Sequence, residues 1–230
     1  MKSVKKLVSL KSIVVIAAVA TAVLVVGCAP NPDDPNATTT TTSTTMPWSD
    51  PTGVWTYFSM TCNANVFGTL YAFPQNASVN VEAPASVRQG TTFDMMVAPG
   101  PFVIPTNVSG YDLSAMSAVA IRFPLSPNVQ FVDSVMSAGK NMGDGYPSLT
   151  IEGTDMVYRV PGPFTPGATV QMPKVRLTFK ATGAPGSTID VRMTSLSSTA
   201  SVSIIGVPNT CTPNAPNPLF WATTITAPAT

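Results

Sequence analysis

Histidine is absent from this sequence, and with it go the Ser–His and Cys–His pairs in which an imidazole activates a nucleophile. Three cysteines are too few for a closed zinc site without histidine, which takes four ligands. No Gly-rich phosphate loop and no dinucleotide fingerprint occurs, so nothing calls for a cofactor. Charge is scarce too: 10% of residues are charged, against roughly 25% in ordinary soluble domains. The polar surface must therefore come mainly from Thr, Ser, Asn and backbone. No basic patch of the kind that nucleic acid requires is present, which sets nucleic acid aside as a partner. The longest uncharged apolar run, Ile13 to Gly27, covers 15 residues, and a membrane-spanning helix needs about 20.

That run sits in a recognisable order. Lys2, Lys5, Lys6 and Lys11 precede it, and it ends in Val25-Val26-Gly27-Cys28. A basic flank, a short apolar stretch and a small residue at the cut are the marks of an export signal. The four last residues resemble the lipobox of bacterial lipoproteins, with Val25 where Leu is commonest. The resemblance implies cleavage after Gly27, a lipid on Cys28 and attachment to the outer face of the membrane. The alternative is a plain secreted chain in which Cys28 is incidental. Residues 1–27 are thus read as signal peptide. Their removal takes four of the twelve basic residues and leaves eight against eleven acids, a net charge of −3.

Residues 28–52 read as a tether. Pro30, Pro32, Pro35 and Pro47 interrupt regular hydrogen bonding, and Thr38 to Thr45 is all Thr apart from Ser43. Such a segment buries too little apolar surface to offset its ordering entropy, so the expectation is an extended, mobile spacer. Beyond it two cysteines remain, Cys62 and Cys211. Outside the cytoplasm an even pair is most simply a disulfide, with two buried thiols as the alternative.

From Thr61 onward the dominant period is two. Val175, Leu177 and Phe179 alternate with Arg176, Thr178 and Lys180; Val119, Ile121 and Phe123 enclose Ala120 and Arg122; Phe93, Met95 and Val97 enclose Asp94 and Met96. Strands with one face on a core and one toward solvent give this pattern. Glu152-Gly153-Thr154-Asp155 fits a two-residue hairpin with Gly in the first central position. Arg88-Gln89-Gly90 and Ala184-Pro185-Gly186 read as further turns. Helical spacing is not sustained after the signal, one short turn near Asp112 to Ser117 excepted. Roughly nine to eleven strands fit between Thr61 and Ile225, enough for one all-β, two-sheet sandwich over residues 53–230.

Two segments carry a resemblance. Ala83-Pro84-Ala85-Ser86-Val87-Arg88-Gln89-Gly90-Thr91-Thr92-Phe93 resembles the opening of bacterial extracellular immunoglobulin-like domains. Phe123-Pro124-Leu125-Ser126-Pro127-Asn128-Val129-Gln130-Phe131-Val132 resembles a segment of cohesin-like surface sandwiches. The region from 61 to 228 is similar to uncharacterised, secreted or lipid-anchored actinobacterial envelope proteins. The resemblance implies a fold used mainly for binding or spacing, and a fold by itself supplies no chemistry.

Candidate sites are few. Glu152 and Asp155 flank a tight turn, where paired carboxylates serve glycosidases but are more often simply solvated. Asp144, Glu152 and Asp155 offer oxygen ligands for calcium without a recognisable loop spacing, so no metal site is assigned. Ser137 to Pro147 is the most site-like loop, combining three glycines with Lys140, Asp144 and Tyr146 as a candidate recognition surface. Met96 and Val157 fall out of phase with their strands, as an exposed patch or a second packed layer would require. The expected function is a non-enzymatic binding or structural module of the cell envelope, its partners an envelope protein, a glycan or a hydrophobic ligand. The alternative is a carrier that holds a lipid or other hydrophobic molecule between its sheets, which a core without a cavity would dismiss.

Overall fold

The structure, a computed structural model, describes residues 40–41, 44–46, 49–66, 68–108, 110–214 and 218–228. The expected signal peptide and Cys28 lie outside the described residues. The described chain is all strand and connection. In order the strands are β1 (Thr40–Thr41), β2 (Thr44–Met46), β3 (Val54–Val66), β4 (Thr69–Glu82), β5 (Ser86–Arg88) and β6 (Thr92–Pro99). Then come β7 (Phe102–Val103), β8 (Asn107–Val108), β9 (Tyr111–Asp112), β10 (Ala115–Pro124), β11 (Val129–Ser137), β12 (Ser148–Glu152) and β13 (Asp155–Val160). The last are β14 (Thr169–Val170), β15 (Val175–Ala181), β16 (Thr188–Arg192), β17 (Ser195–Val202), β18 (Ile205–Pro213) and β19 (Leu219–Thr226).

One large sheet runs in the order β1-β12-β13-β10-β17-β18-β3-β4-β6-β15-β11-β2, and a small one in the order β16-β19-β5. The large sheet folds over on itself. Val119 and Ile121 of β10, Leu149 of β12 and Tyr158 of β13 share one apolar core with Met95 of β6, Leu177 of β15 and Met136 of β11. Ile189, Val191, Phe220 and Ile225 of the small sheet join the same core. The result is an all-β sandwich, its layers supplied largely by the two wings of a single sheet.

The alternation read from the sequence is realised strand by strand. On β10 Val119, Ile121 and Phe123 are buried and Ala120 and Arg122 are not; on β15 Val175, Leu177 and Phe179 are buried. Glu152 pairs with Asp155 across the loop Gly153-Thr154, and Gly153 takes φ +61°, a region open to residues without a side chain.

Three readings need adjustment. Among the described residues twelve strands reach five residues or more, above the nine to eleven expected. The helical turn near Asp112 to Ser117 is not formed. Tyr111–Asp112 pairs with Asn107–Val108, and the Ser114 N–H donates to Ser201 C=O (2.8 Å), so pairing across the sheet overrides local spacing. Within the expected tether, Thr40–Thr41 pairs with β12 and Thr44–Met46 with β11, one at each edge of the large sheet. β-branched Thr suits an extended backbone, and sheet edges offer unpaired N–H and C=O groups.

Candidate functional site

The sandwich is not filled. An apolar cavity of about 280 Å³ lies between the layers, just below the roughly 300–1,000 Å³ of small-molecule pockets. Its long wall is β3, whose inward residues Phe58, Met60, Cys62, Ala64 and Val66 all line it. Eight residues of strand span about 26 Å, so the space is elongated. On β4 and β17 the inward residues Tyr71, Phe73, Ala77, Leu196, Ala200 and Val202 are only half-buried, because the cavity lies against them. The main core stands on one side; a small satellite of Ala64, Val66 and Val207, with Tyr71 and Tyr111 packed on it, stands on the other. Tyr71 and Tyr111 meet edge to face at 6.4 Å, and the hydrogen bond and charge from Tyr111 raise the Tyr71 phenol above its ordinary pKa.

No lining residue is charged. The polar side chains in the wall are amides and hydroxyls: Gln75, Asn76, Ser78, Ser198, Asn209 and the tyrosines. Asn209, the deepest of the amides, is held by Ser198 (Nδ2 to Oγ, 3.3 Å). The cavity opens where a ladder stops. β4 pairs with β6 from Val79 to Glu82, and the last bond runs from the Gly100 N–H to Ser78 C=O (2.8 Å). The next residue is Pro101, which has no N–H to donate. Beyond it Pro101, Phe102, Val103 and Pro105 line the cavity without bridging to β4. The disulfide between Cys62 and Cys211 forms across the β3–β18 register and lies in the cavity wall.

A second, shallower cleft of about 520 Å³ adjoins it, with Pro101 in both walls. Asp50 and Pro51 come from the segment before β3, Trp55 from the start of β3, Lys140 and Asn141 from the loop after β11, and Thr169 and Gln171 from around β14. Lys140 and Gln171 exchange backbone hydrogen bonds (2.9 and 3.1 Å), which docks the loop on that segment. Asn141 Nδ2 donates to Thr169 C=O (2.7 Å), and Gln171 Nε2 donates to Pro99 C=O (2.9 Å). The Trp55 ring is stacked with Tyr57 at 6.4 Å.

The candidate recognition residues Lys140, Asp144 and Tyr146 are all exposed, and the cleft takes in Lys140 alone. Their loop is packed rather than slack: at Gly143, with φ +72°, a side-chain carbon would sit 2.4 Å from the Pro163 carbonyl oxygen. Glu152 and Asp155 are committed elsewhere. Arg122 reaches Glu152 at 3.0 Å and Asp155 at 3.6 Å, and Arg159 pairs with Glu152 from the other side. Burial pushes the Glu152 carboxyl up, but Arg159, Thr150 and Arg122 together outweigh it and hold the group below its ordinary 4.5. Val157 is fully buried between Met156 and Tyr158, while Met96 is half-buried, so the out-of-phase pair marks packing on both faces at Val157. Among the described residues no three His, Cys, Asp or Glu side chains gather into a metal-binding group.

The sequence raises such a space only through the carrier alternative, which names none of its lining residues. Its signal is volume rather than polarity: Ala64, Ala77, Ser198 and Ala200 are small residues at inward positions, where strand alternation alone records only which face they occupy.

No family model matches this chain, and no curated protein does. Among solved structures it is similar to the crystal structure of a Corynebacterium diphtheriae protein named as membrane anchored, at 20% identity and a TM-score of 0.50 over 76% of this chain. The chain spans 38% of that protein's length. It is also similar to the C-terminal domain of the AgI/II polypeptide BspA of Streptococcus agalactiae, at 13% identity and a TM-score of 0.35, covering 67% of this chain and 58% of that one. That second likeness is too distant to bear on this chain. The first shows a shared fold, an all-β sandwich.

Proposed function

We propose that this chain is an exported envelope protein, held to the outer face of a membrane by lipid on Cys28, whose sandwich binds a hydrophobic ligand without catalysing a reaction. The observation that carries the binding part is the apolar, charge-free cavity between the layers. A pure spacer gains nothing from such a space, because unfilled core volume costs about 24 cal/mol per Å3 in stability. The acids that a glycosidase reading would use are neutralised by Arg122 and Arg159, which supports the absence of catalysis. The anchor rests on the Val25-to-Cys28 motif and the basic flank before it.

Two measurements test the two halves. Cys28→Ser is expected to release the cleaved chain from membranes, and retention of that cleaved form in the membrane fraction overturns the anchor. The purified mature chain is expected to bind N-phenyl-1-naphthylamine, an uncharged apolar fluorophore, saturably and at one site. Ala64→Phe, which puts a ring into the cavity wall, is expected to abolish that binding. An unchanged isotherm in a folded Ala64→Phe variant overturns the cavity as the binding site.

A further inference from the structure

The cavity and the cleft meet at Pro101, and their chemistries are complementary halves of one site. Resting on the reading of the cavity as a hydrophobic-ligand site, we infer that the ligand is an amphiphile. Its single unbranched hydrocarbon chain lies along β3, and its uncharged, hydroxyl-bearing head sits in the cleft with Trp55 and Lys140.

The shape sets the tail. The cavity follows β3 from Phe58 to Val66, and about 280 Å³ drawn out along that length is narrow, which leaves room for one chain and not for a broad ring system. The wall contains no counter-charge for a carboxylate or phosphate drawn inside, and an unpaired ion there meets the full cost of desolvation. The polar end must stay outside, at the mouth beside Pro101.

Hydrogen-bond capacity sets the head. Asn141 donates to the Thr169 carbonyl and Gln171 to those of Pro99 and Met172, which leaves each amide oxygen as an acceptor and Asn141 with a second N–H. Asp50 adds a carboxylate, also an acceptor, and Lys140 is the one cationic donor in the cleft. Hydroxyl groups satisfy such a set, since each donates one hydrogen bond and accepts others. A carboxylate or phosphate head cannot donate and faces three acceptors. The opposite charges of Asp50 and Lys140 leave no net field to select an ion. Trp55, exposed in the cleft wall, supplies the aromatic surface that a sugar-like head also needs.

The test is calorimetric titration of the full mature chain with n-octyl β-glucoside, 1-octanol, octanoate and glucose, all below any micelle threshold. Expected is glucoside binding at least tenfold tighter than 1-octanol, octanoate weaker than 1-octanol, and no detectable binding of glucose. Extending octyl to decyl should tighten binding about fifteenfold, since each buried methylene contributes about fourfold, or about 0.8 kcal/mol. Trp55→Ala is expected to bring the glucoside down to the level of 1-octanol and to leave 1-octanol unchanged. Should that variant lose 1-octanol as well, Lys140→Met, on the opposite wall of the cleft, decides by the same comparison. Equal affinities for glucoside and 1-octanol overturn the head site and leave the hydrophobic cavity standing. Tighter binding of octanoate overturns the uncharged head. Failure of every alkyl compound to bind overturns the cavity reading itself.

Discussion

Single residues on the sheet surface show how a plausible acid pair is disarmed. Glu152 and Asp155 stand at the two ends of a tight hairpin because they flank Gly153-Thr154, and that much follows from spacing. What spacing does not give is the pair of arginines on neighbouring strands: Arg122 comes from β10 and Arg159 from further along β13, and only the sheet register sets them beside Glu152. The lowered pKa has a consequence of definite sign. A carboxyl whose folded pKa lies below its unfolded value contributes stability above the unfolded pKa and loses it as pH falls. The stability gap between the native chain and Glu152→Gln is therefore expected to be open above about pH 4.5 and to close below it, read from urea midpoints across that range. A gap that widens in acid contradicts the assignment. Tyr158 gives the opposite case. Burial pushes its phenol well above 10.0, and its O–H donates to Pro173 C=O at 3.2 Å. Tyr158→Phe should cost about 1 kcal/mol at neutral pH through that lost bond. Above pH 10 the unfolded chain releases a proton that the folded chain must keep, so native stability falls as pH rises and the difference shrinks. A pH-independent difference between the two proteins overturns this account.

Strands show which part of the fold alternation can and cannot record. The inward sets on β6, β10 and β15 were legible because large apolar residues at every second position can be hidden only against another layer. The turns at Gly153 and Gly186 were legible for their dihedral demands, which both meet with positive φ. Pairing of Thr40–Thr41 and Thr44–Met46 with two distant strands was not legible, since an edge vacancy is a property of the folded sheet. The cavity was hidden for a related reason. β17 reads Leu196, Ser198, Ala200 and Val202 on one face, an apolar alternation whether or not the space opposite is filled. This gives β17 a direct test. In a filled core, a small-to-large change costs about 1–3 kcal/mol through overpacking. Ala200→Leu, pointing into unfilled volume, is instead expected to raise stability by about 1 kcal/mol, from added apolar burial, and to weaken ligand binding at the same time. A destabilised variant, measured by urea unfolding, means the space is not there.

At the scale of the whole molecule, one covalent link ties the cavity wall to the global stability of the chain. Cys62 and Cys211 are separated by 149 residues, so the bridge closes nearly the entire sandwich into a loop. On the chain-entropy account a loop of that length removes about 5 kcal/mol of unfolded-state freedom, an upper figure where the unfolded chain keeps residual structure. Stability of 5–15 kcal/mol is usual for a domain, so a protein that leaves about 280 Å³ of its core open has reason to recover stability in the unfolded state instead. The double variant Cys62→Ala, Cys211→Ala is expected to lower unfolding free energy by about 3–5 kcal/mol, seen as a lower urea midpoint. Because both cysteines also line the cavity, a saturating alkyl glucoside should restore part of that loss. Ligand bound only to the folded state adds about 2.7 kcal/mol at one hundred times its dissociation constant. Restoration by the glucoside and none by glucose would place ligand and disulfide in the same thermodynamic role, each shifting the balance from the unfolded chain toward the folded sandwich. If ligand leaves the double variant's midpoint where it was, the cavity is a defect that the bridge alone offsets.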